Sequence, residues 1–187
     1  MYILYTDKSE DFKCHIGVQG GDLDNTTGED RQIEVVESWK AGDNVNVSLY
    51  FSESRLLKEK GEDEWVNYLE KRFRPRNRYD CIFIPSKLDS HFEHRFVHNL
   101  GWALTRIKPI SLVEYNSPST LETWIPNVFV EISEYYDLKC KMLKQFKSQQ
   151  KRSYFQEDVI KGFHTNFKCS KKGYNLVEQF NIKQLFT

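Results

Sequence analysis

The sequence predicts an α/β fold with a doubly wound, mostly parallel sheet, and two observations support this prediction. Short apolar segments rich in β-branched and aromatic residues alternate with amphipathic segments of helical periodicity through the first half of the chain. One apolar segment, residues 81–84, is ended by Pro85 and leads through a polar turn into a helical pattern. Strand–helix–strand crossovers of this kind favour parallel neighbours.

The other elements follow in order along the chain. We expect a central strand at Tyr2–Thr6, a long glycine- and aspartate-rich loop over residues 7–30, and a helix that starts near Gly28 and ends at Gly42. The later expectations are a strand at 45–51, a helix at 61–73, a strand at 110–115, a β segment within 124–132, a helix at 134–150 capped by Ser133, a helix near 155–163 and a strand or docked tail at 175–180. With no internal repeat, the 187 residues predict one domain over 1–187.

Composition limits the classes of partner. Lys plus Arg and Asp plus Glu both number 27, so no global field attracts nucleic acid or an anionic membrane. The basic cluster at 71–78 lacks an aromatic stacking platform and is interpreted as solvated surface. The sequence shows no signal peptide and no long apolar run, and its four cysteines are widely spaced. A cytoplasmic protein with free thiols is therefore predicted.

The histidines carry the strongest chemical signal. His91, His94 and His98 lie in the turn and helix that follow the apolar strand, where open α/β sheets bind ligands. Neutral imidazole is a common zinc ligand, and Asp89 and Glu93 are placed to orient the rings. A catalytic zinc needs about three protein ligands, whereas this stretch offers one or two. The residues alone therefore leave a metal site open, and His98 is interpreted as a helix residue with a local hydrogen bond.

The order of these pieces resembles the PIG-L/LmbE family of zinc-dependent N-acetylglucosamine deacetylases over essentially the whole chain. Asp80-Cys-Ile-Phe-Ile-Pro85 followed by Asp89-Ser-His-Phe-Glu-His94 is similar to the family's strand and D-x-H-x-D-H signature. The helix with Arg31-Gln-Ile-Glu34 and the tail with Pro126-Asn-Val-Phe-Val-Glu-Ile-Ser133 are also similar. The resemblance implies hydrolysis of the N-acetyl group of an amino sugar or glycoconjugate by zinc-activated water.

The resemblance also implies roles for residues at matching positions. His94 matches a zinc ligand, and His91 matches the histidine that stabilises the tetrahedral oxyanion or protonates the leaving amine. Asp89 and Glu93 are expected beside them as catalytic carboxylates, although Glu93 stands where the family usually has Asp. Arg31 matches an arginine that faces the metal-bound acyl or carboxylate group; from its residue type alone, it could equally be a surface charge.

The sequence departs from the family at the first motif. The A-H-P-D-D-E segment, which supplies two zinc ligands and the general base in the family, is missing, and Met1-Tyr-Ile-Leu4 aligns with the family's second strand. We therefore expect that the first β–α unit is missing, that the zinc ligand set is incomplete and that deacetylase activity is impaired. Three explanations stay open: a truncated or mis-started enzyme, a chain completed by another chain or by a homo-oligomer, and a non-catalytic remnant that binds a sugar.

Overall fold

The computed structural model describes residues 2–6, 12–16, 28–42, 60–73, 81–106 and 109–186. The chain divides into two compact units. The first unit consists of Met1–Gly17, Asn46–Asn127 and Phe180–Thr187, and the second of Val18–Val45 and Val128–Gln179. The single domain over 1–187 stays a prediction.

The predicted elements are confirmed over most of the described residues. In chain order these elements are β1 (Tyr2–Thr6), β2 (Phe12–Ile16), α1 (Gly28–Ala41), α2 (Glu62–Phe73), β3 (Cys81–Pro85), α3 (Phe92–Leu104), β4 (Ser111–Tyr115), β5 (Val128–Glu131), α4 (Tyr136–Leu143), α5 (Glu157–His164), α6 (Phe167–Ser170) and β6 (Val177–Gln184). The strand predicted over residues 45–51 lies outside the described residues. The sequence does not predict β2, because its glycine- and aspartate-rich composition predicts a loop over residues 7–30.

The α/β class is confirmed, but the prediction of a doubly wound, mostly parallel sheet is wrong. In the first unit the strand order is β2-β1-β3-β4-β6, and β3 and β4 run parallel with α3 as their crossover. β1 is antiparallel to both β2 and β3, and β6 is antiparallel to β4. Alternating strand and helix patterns indicate that crossovers occur, but they do not show which strands become neighbours. Because one of these strand pairs is parallel and the others are antiparallel, the sheet is mixed.

The core of the first unit lies between the sheet and helices α2 and α3. Ile82, Ile84 and Leu112 are almost completely buried, and they cluster with residues of both helices. In β3 the even-numbered positions share one face, because successive side chains of a strand point to opposite sides. This packing holds α3 against β3, so both ends of the turn that joins them are held in position.

The second unit has a smaller core, formed by buried side chains from α4, α5 and the segments around them: Ile132, Tyr136, Cys140, Ile160 and Leu176. The long helix predicted over 134–150 is shorter, because α4 ends at Leu143 and a separate 3₁₀ turn follows at Lys147–Gln149. Gln150 Nε2 donates to the carbonyl oxygen of Leu143 at 3.0 Å, which replaces a bond of a continued helix. Ser133 does not cap α4, since its Oγ accepts from the Leu176 N–H.

Two further sequence predictions concern thiols and membranes. Cys81, Cys140 and Cys169 are free, which confirms the prediction for these three residues. Among the described helices, none is both long and apolar enough to cross a membrane.

Candidate active site

The turn between β3 and α3 is held by hydrogen bonds to its backbone. Ser86 N–H donates to the carbonyl oxygen of Tyr115 at 3.1 Å, which ties the end of β3 to the end of β4. Arg95 Nη1, on the first turn of α3, donates to the carbonyl oxygens of Asp89 at 2.6 Å and Ser90 at 2.8 Å. These bonds fix the position of Asp89 beyond the carboxyl end of β3.

Asp89 is the buried centre of this turn, with 2% of its surface exposed. Its Oδ1 accepts from the His91 backbone N–H at 2.8 Å, and its Oδ2 accepts from His94 Nδ1 at 2.9 Å and from Ser117 Oγ at 2.7 Å. Burial opposes ionisation of the carboxyl, but the hydrogen bonds around it, led by that of His94, outweigh burial and lower the pKa of Asp89 to about 2. Asp89 is therefore a carboxylate at neutral pH, and His94 carries its proton on Nδ1.

This arrangement predicts a contribution of Asp89 to acid stability. Its pKa lies at about 2 in the folded chain against an ordinary value of 3.8, so the ionised form stabilises the fold fully above about pH 4 and loses this effect as the pH falls through 2. Between about pH 5 and pH 2, the free energy of unfolding of the wild type should fall by about 2 kcal/mol more than that of Asp89→Asn. Urea denaturation at both pH values measures the difference, and equal pH dependence in the two proteins would contradict it.

His94 offers its second ring nitrogen for chemistry. With the proton on Nδ1, Nε2 holds a lone pair, and it has no hydrogen bond to any residue in the described part of the chain. The His94 side chain is 36% exposed, and the ring of His91 stacks against it with centroids 4.8 Å apart. Two imidazoles therefore lie side by side and open to solvent, one of them oriented by a buried carboxylate.

The structure brings together four of the predicted site residues. Asp89, His91 and His94 form the contacts just described, and Glu93 lies between the two histidines in the first turn of α3. The carboxylate of Glu93 is looser, because its Oε2 lies 4.0 Å from His91 Nδ1, which is beyond hydrogen-bond distance. The catalytic roles of these four residues stay predictions.

The sequence-based prediction does not include the hydroxyl groups that the loop after β4 brings to the site. These belong to Ser117, Ser119 and Thr120. Ser119 Oγ lies 3.3 Å from His94 Nδ1, so this loop contacts both members of the carboxylate–imidazole pair. The signal that identifies the loop is the strand register. Pro85 of β3 pairs with Tyr115 of β4 in parallel, so the loops that follow the two strands must lie side by side.

Arg31 belongs to the second unit and has partners there. It lies in the first turn of α1, where its Nη1 donates to Ser148 Oγ at 3.1 Å and lies 3.6 Å from Glu34 Oε2. Ser148 in turn donates to the two carboxylate oxygens of Glu34 through its backbone N–H and its Oγ, each at 2.7 Å. These contacts give Arg31 a structural role, and its predicted role as a substrate clamp stays a prediction.

A pair of variants on α1 measures this structural role. Glu34→Ala should lower the free energy of unfolding by about 2 kcal/mol, because Ser148 and Arg31 lose a largely buried acceptor. Glu37→Ala is the matched control on the same helix. Its carboxylate pairs with Lys40 at the exposed surface, and we expect a loss of about 0.5 kcal/mol or less. Equal losses in urea denaturation would show that the Glu34 contacts do not stabilise the second unit.

The described side chains do not form a complete zinc site. Within the described ranges, no three or more His, Cys, Asp or Glu side chains are grouped so that they could hold a metal ion. Among the described histidines, His94 has the required form, because a zinc-binding imidazole usually donates its other N–H to a carboxylate or a backbone carbonyl, and the His94 ring is also partly exposed. A catalytic zinc needs about three protein ligands, so these side chains fit one position of the site that the family resemblance implies.

The chain was compared with known proteins, and neither a family model nor a curated protein matches it. Solved structures do match. The teicoplanin deacetylase Orf2, in its zinc-inhibited form, has a TM-score of 0.59 at 9% identity over 82% of this chain and 73% of its own. The A40926 pseudoaglycone deacetylase Dbv21 has a TM-score of 0.61 at 8% identity over 88% and 75%. The chain shares the fold of these two deacetylases.

Two further solved structures share this fold. GalB, the 4-carboxy-2-hydroxymuconate hydratase from Pseudomonas putida KT2440, has a TM-score of 0.71 at 12% identity over 92% of this chain and 85% of its own. The conserved protein TT1542 from Thermus thermophilus has a TM-score of 0.69 at 16% identity over 96% and 85%. The resemblance to the PIG-L/LmbE family is thus confirmed at the level of the fold. Because a hydratase shares this fold, the reaction has to be inferred from the site.

Proposed function

We propose that the chain hydrolyses the N-acetyl group of an acetylated amino sugar, more slowly than a deacetylase with a complete zinc site. The observation that carries this proposal is the 2.9 Å contact between His94 Nδ1 and Asp89 Oδ2, which leaves Nε2 of the partly exposed His94 ring to accept a proton. The shared fold supports removal of an acetyl group, since Orf2 is a deacetylase in the biosynthesis pathway of teicoplanin and Dbv21 is a deacetylase of the A40926 pseudoaglycone.

His94 acts as the general base in this reaction. A water that donates to Nε2 loses its proton to the imidazole as its oxygen attacks the acetyl carbonyl. The imidazolium that forms is stabilised by the Asp89 carboxylate, which stays ionised throughout. The interaction is strong because Asp89 is buried, where charges are screened less than in water.

His91 stabilises the charge that develops on the substrate. Its ring is half exposed beside His94 and can donate to the tetrahedral oxyanion or, when protonated, give its proton to the leaving amine, while His94 releases to solvent the proton that it took from water. Glu93, 4.0 Å away, faces the positive charge that His91 carries when protonated. No step is assigned to zinc, because the described side chains supply one ligand. General acid–base catalysis typically contributes about 10²–10⁴-fold, which is why we expect a slow enzyme.

The second candidate is a non-catalytic domain that binds a sugar. The incomplete ligand set among the described side chains favours it, because amide hydrolysis gains most from a metal that polarises the carbonyl. The two candidates differ in one respect that is simple to measure. An enzyme needs both imidazoles for turnover, whereas a binding domain retains its affinity when one imidazole is removed.

His91→Ala therefore tests the proposed function. We expect kcat for acetate release from N,N′-diacetylchitobiose to fall by about 10²-fold, because the oxyanion and the leaving amine lose their proton donor. Arg106→Gln is the control, since Arg106 is exposed at the other end of α3 and pairs with Glu70. Equal turnover in the wild type and His91→Ala would contradict the proposed role of His91. If the wild type binds the sugar but does not hydrolyse it, the second candidate function, a non-catalytic sugar-binding domain, is correct.

A further inference from the structure

The first unit contains a cavity that neither His91 nor His94 lines. Its volume is about 770 Å³, which is within the range of small-molecule sites. Its walls come from α2, α3, β4, β6 and the loops that follow β3 and β4. Nothing in the proposed hydrolysis uses it.

A buried carboxylate forms part of the cavity wall. Glu114 on β4 is 2% exposed, and its Oε2 accepts from Trp124 Nε1 at 3.1 Å and forms an ion pair with Lys183 Nζ at 3.2 Å. Its Oε1 lies 3.5 Å from His98 Nδ1. The carboxylate is therefore held in place by three side chains that also line the cavity.

His98 adds a buried acceptor to the same wall. Its Nδ1 lies 3.1 Å from the carbonyl oxygen of Pro85 and donates to it, so Nε2 holds a lone pair. Burial lowers the pKa of His98, which keeps the ring neutral. His98 is 3% exposed, and Nε2 has no partner among the described residues. Since buried polar groups are rarely left unpaired, we expect a hydrogen-bond donor in the cavity to pair with this nitrogen.

The charges and aromatic rings of the lining indicate which chemistry fits. Glu62 and Glu114 are offset by Lys87 and Lys183, so the ionised side chains around the cavity cancel. A strongly charged ligand would meet as much repulsion as attraction. The indoles of Trp102 and Trp124 also line the cavity and supply flat apolar surface beside these polar groups.

We propose that this cavity binds a neutral saccharide unit. Sugar hydroxyls donate to His98 Nε2 and accept from Lys183, while the apolar face of the ring lies on an indole. Saccharide binding here does not depend on hydrolysis at His94. Where the proposed function also holds, the two sites serve one substrate, because His94 and His98 are separated by about 6 Å along α3. The cavity then binds the sugar unit next to the acetylated one.

Cellobiose and maltose are suitable probes, because both are neutral and neither carries an acetyl group that the chain could remove. Their binding is followed through the indole N–H resonances in ¹⁵N-labelled protein, with Trp39 in the second unit as the internal reference. We expect saturable shifts for Trp102 and Trp124 at millimolar sugar and none for Trp39. Trp102→Ala should weaken binding by about tenfold, since one aromatic contact is lost.

The variants keep the two proposals distinguishable. Trp102 is 39% exposed, so its truncation should leave the fold intact, and Asn99→Ala at another exposed lining position is a second variant. His94→Ala should leave cellobiose binding unchanged whether or not it abolishes acetate release. The cavity proposal is overturned if neither cellobiose nor maltose shifts the Trp102 and Trp124 signals, or if Trp102→Ala binds as tightly as the wild type.

Discussion

Asp89→Asn is expected to lower kcat for acetate release by about 10²- to 10⁴-fold while the chain remains folded. The side-chain amide has nearly the shape of the carboxylate, so the hydrogen bond from the His91 N–H can persist. The side-chain amide, however, no longer requires the proton of His94 to lie on Nδ1, because its NH₂ group can donate to that nitrogen instead. In that tautomer Nε2 carries the proton and cannot accept one from water. The substitution also removes the negative charge that stabilises the imidazolium.

A smaller change at the same carboxylate serves as the control. Ser117→Ala removes the 2.7 Å hydrogen bond to Asp89 Oδ2 but leaves the charge and the His94 contact. We expect less than about a tenfold loss in kcat, because one neutral hydrogen bond typically contributes about 1 kcal/mol. Wild-type activity in Asp89→Asn, or equal losses in the two variants, would show that the carboxylate does not set the tautomer of His94.

Gly101→Ala should lower the free energy of unfolding by about 3 kcal/mol, because it overpacks the contact between α3 and β3. A Cβ at Gly101 would lie 2.3 Å from Cγ2 of Ile84, a distance that forces movement. Ile84 is fully buried in the core of the first unit, where its neighbours leave little room to shift. The backbone of α3 must therefore move away from the sheet, which also displaces the turn that carries Asp89.

Gly162→Ala is the matched control for this prediction. Gly162 lies within α5, and an added Cβ there would meet no atom within 4 Å. Alanine in a helix interior is favoured over glycine, so this variant should gain up to about 1 kcal/mol. Urea denaturation of both variants measures the difference. A stabilising effect of Gly101→Ala would contradict the close approach of α3 to β3.

Local signals in the sequence were sufficient to predict most helices. Glu62–Phe73 begins after Gly61, whose N–H donates to Glu64 Oε2 at 2.9 Å, and its first turn is acidic. These are helix-start features that depend on residues close in sequence. The strand β3 and its stop at Pro85 are local in the same way. Such elements are predictable because the interactions that define them span only a few residues.

The features that sequence missed depend on contacts between distant residues. The antiparallel direction of β1 is set by its pairing with Phe12–Ile16 and with β3, and nothing in Tyr2–Thr6 itself specifies a direction. Ser117 lies 28 residues from Asp89 in sequence, and only the parallel register of β3 and β4 brings the two together. The histidine cluster was found because its members are neighbours in sequence.

The difference in acetate release between the wild type and His94→Ala tests hydrolysis at this site most directly. Both proteins are incubated with N,N′-diacetylchitobiose under the same conditions, with and without added zinc, and acetate is measured over time. We expect slow, linear release by the wild type and a loss of at least about 10²-fold in His94→Ala, because the general base is removed. Release by the wild type that does not exceed that of His94→Ala under either condition would contradict hydrolysis at His94.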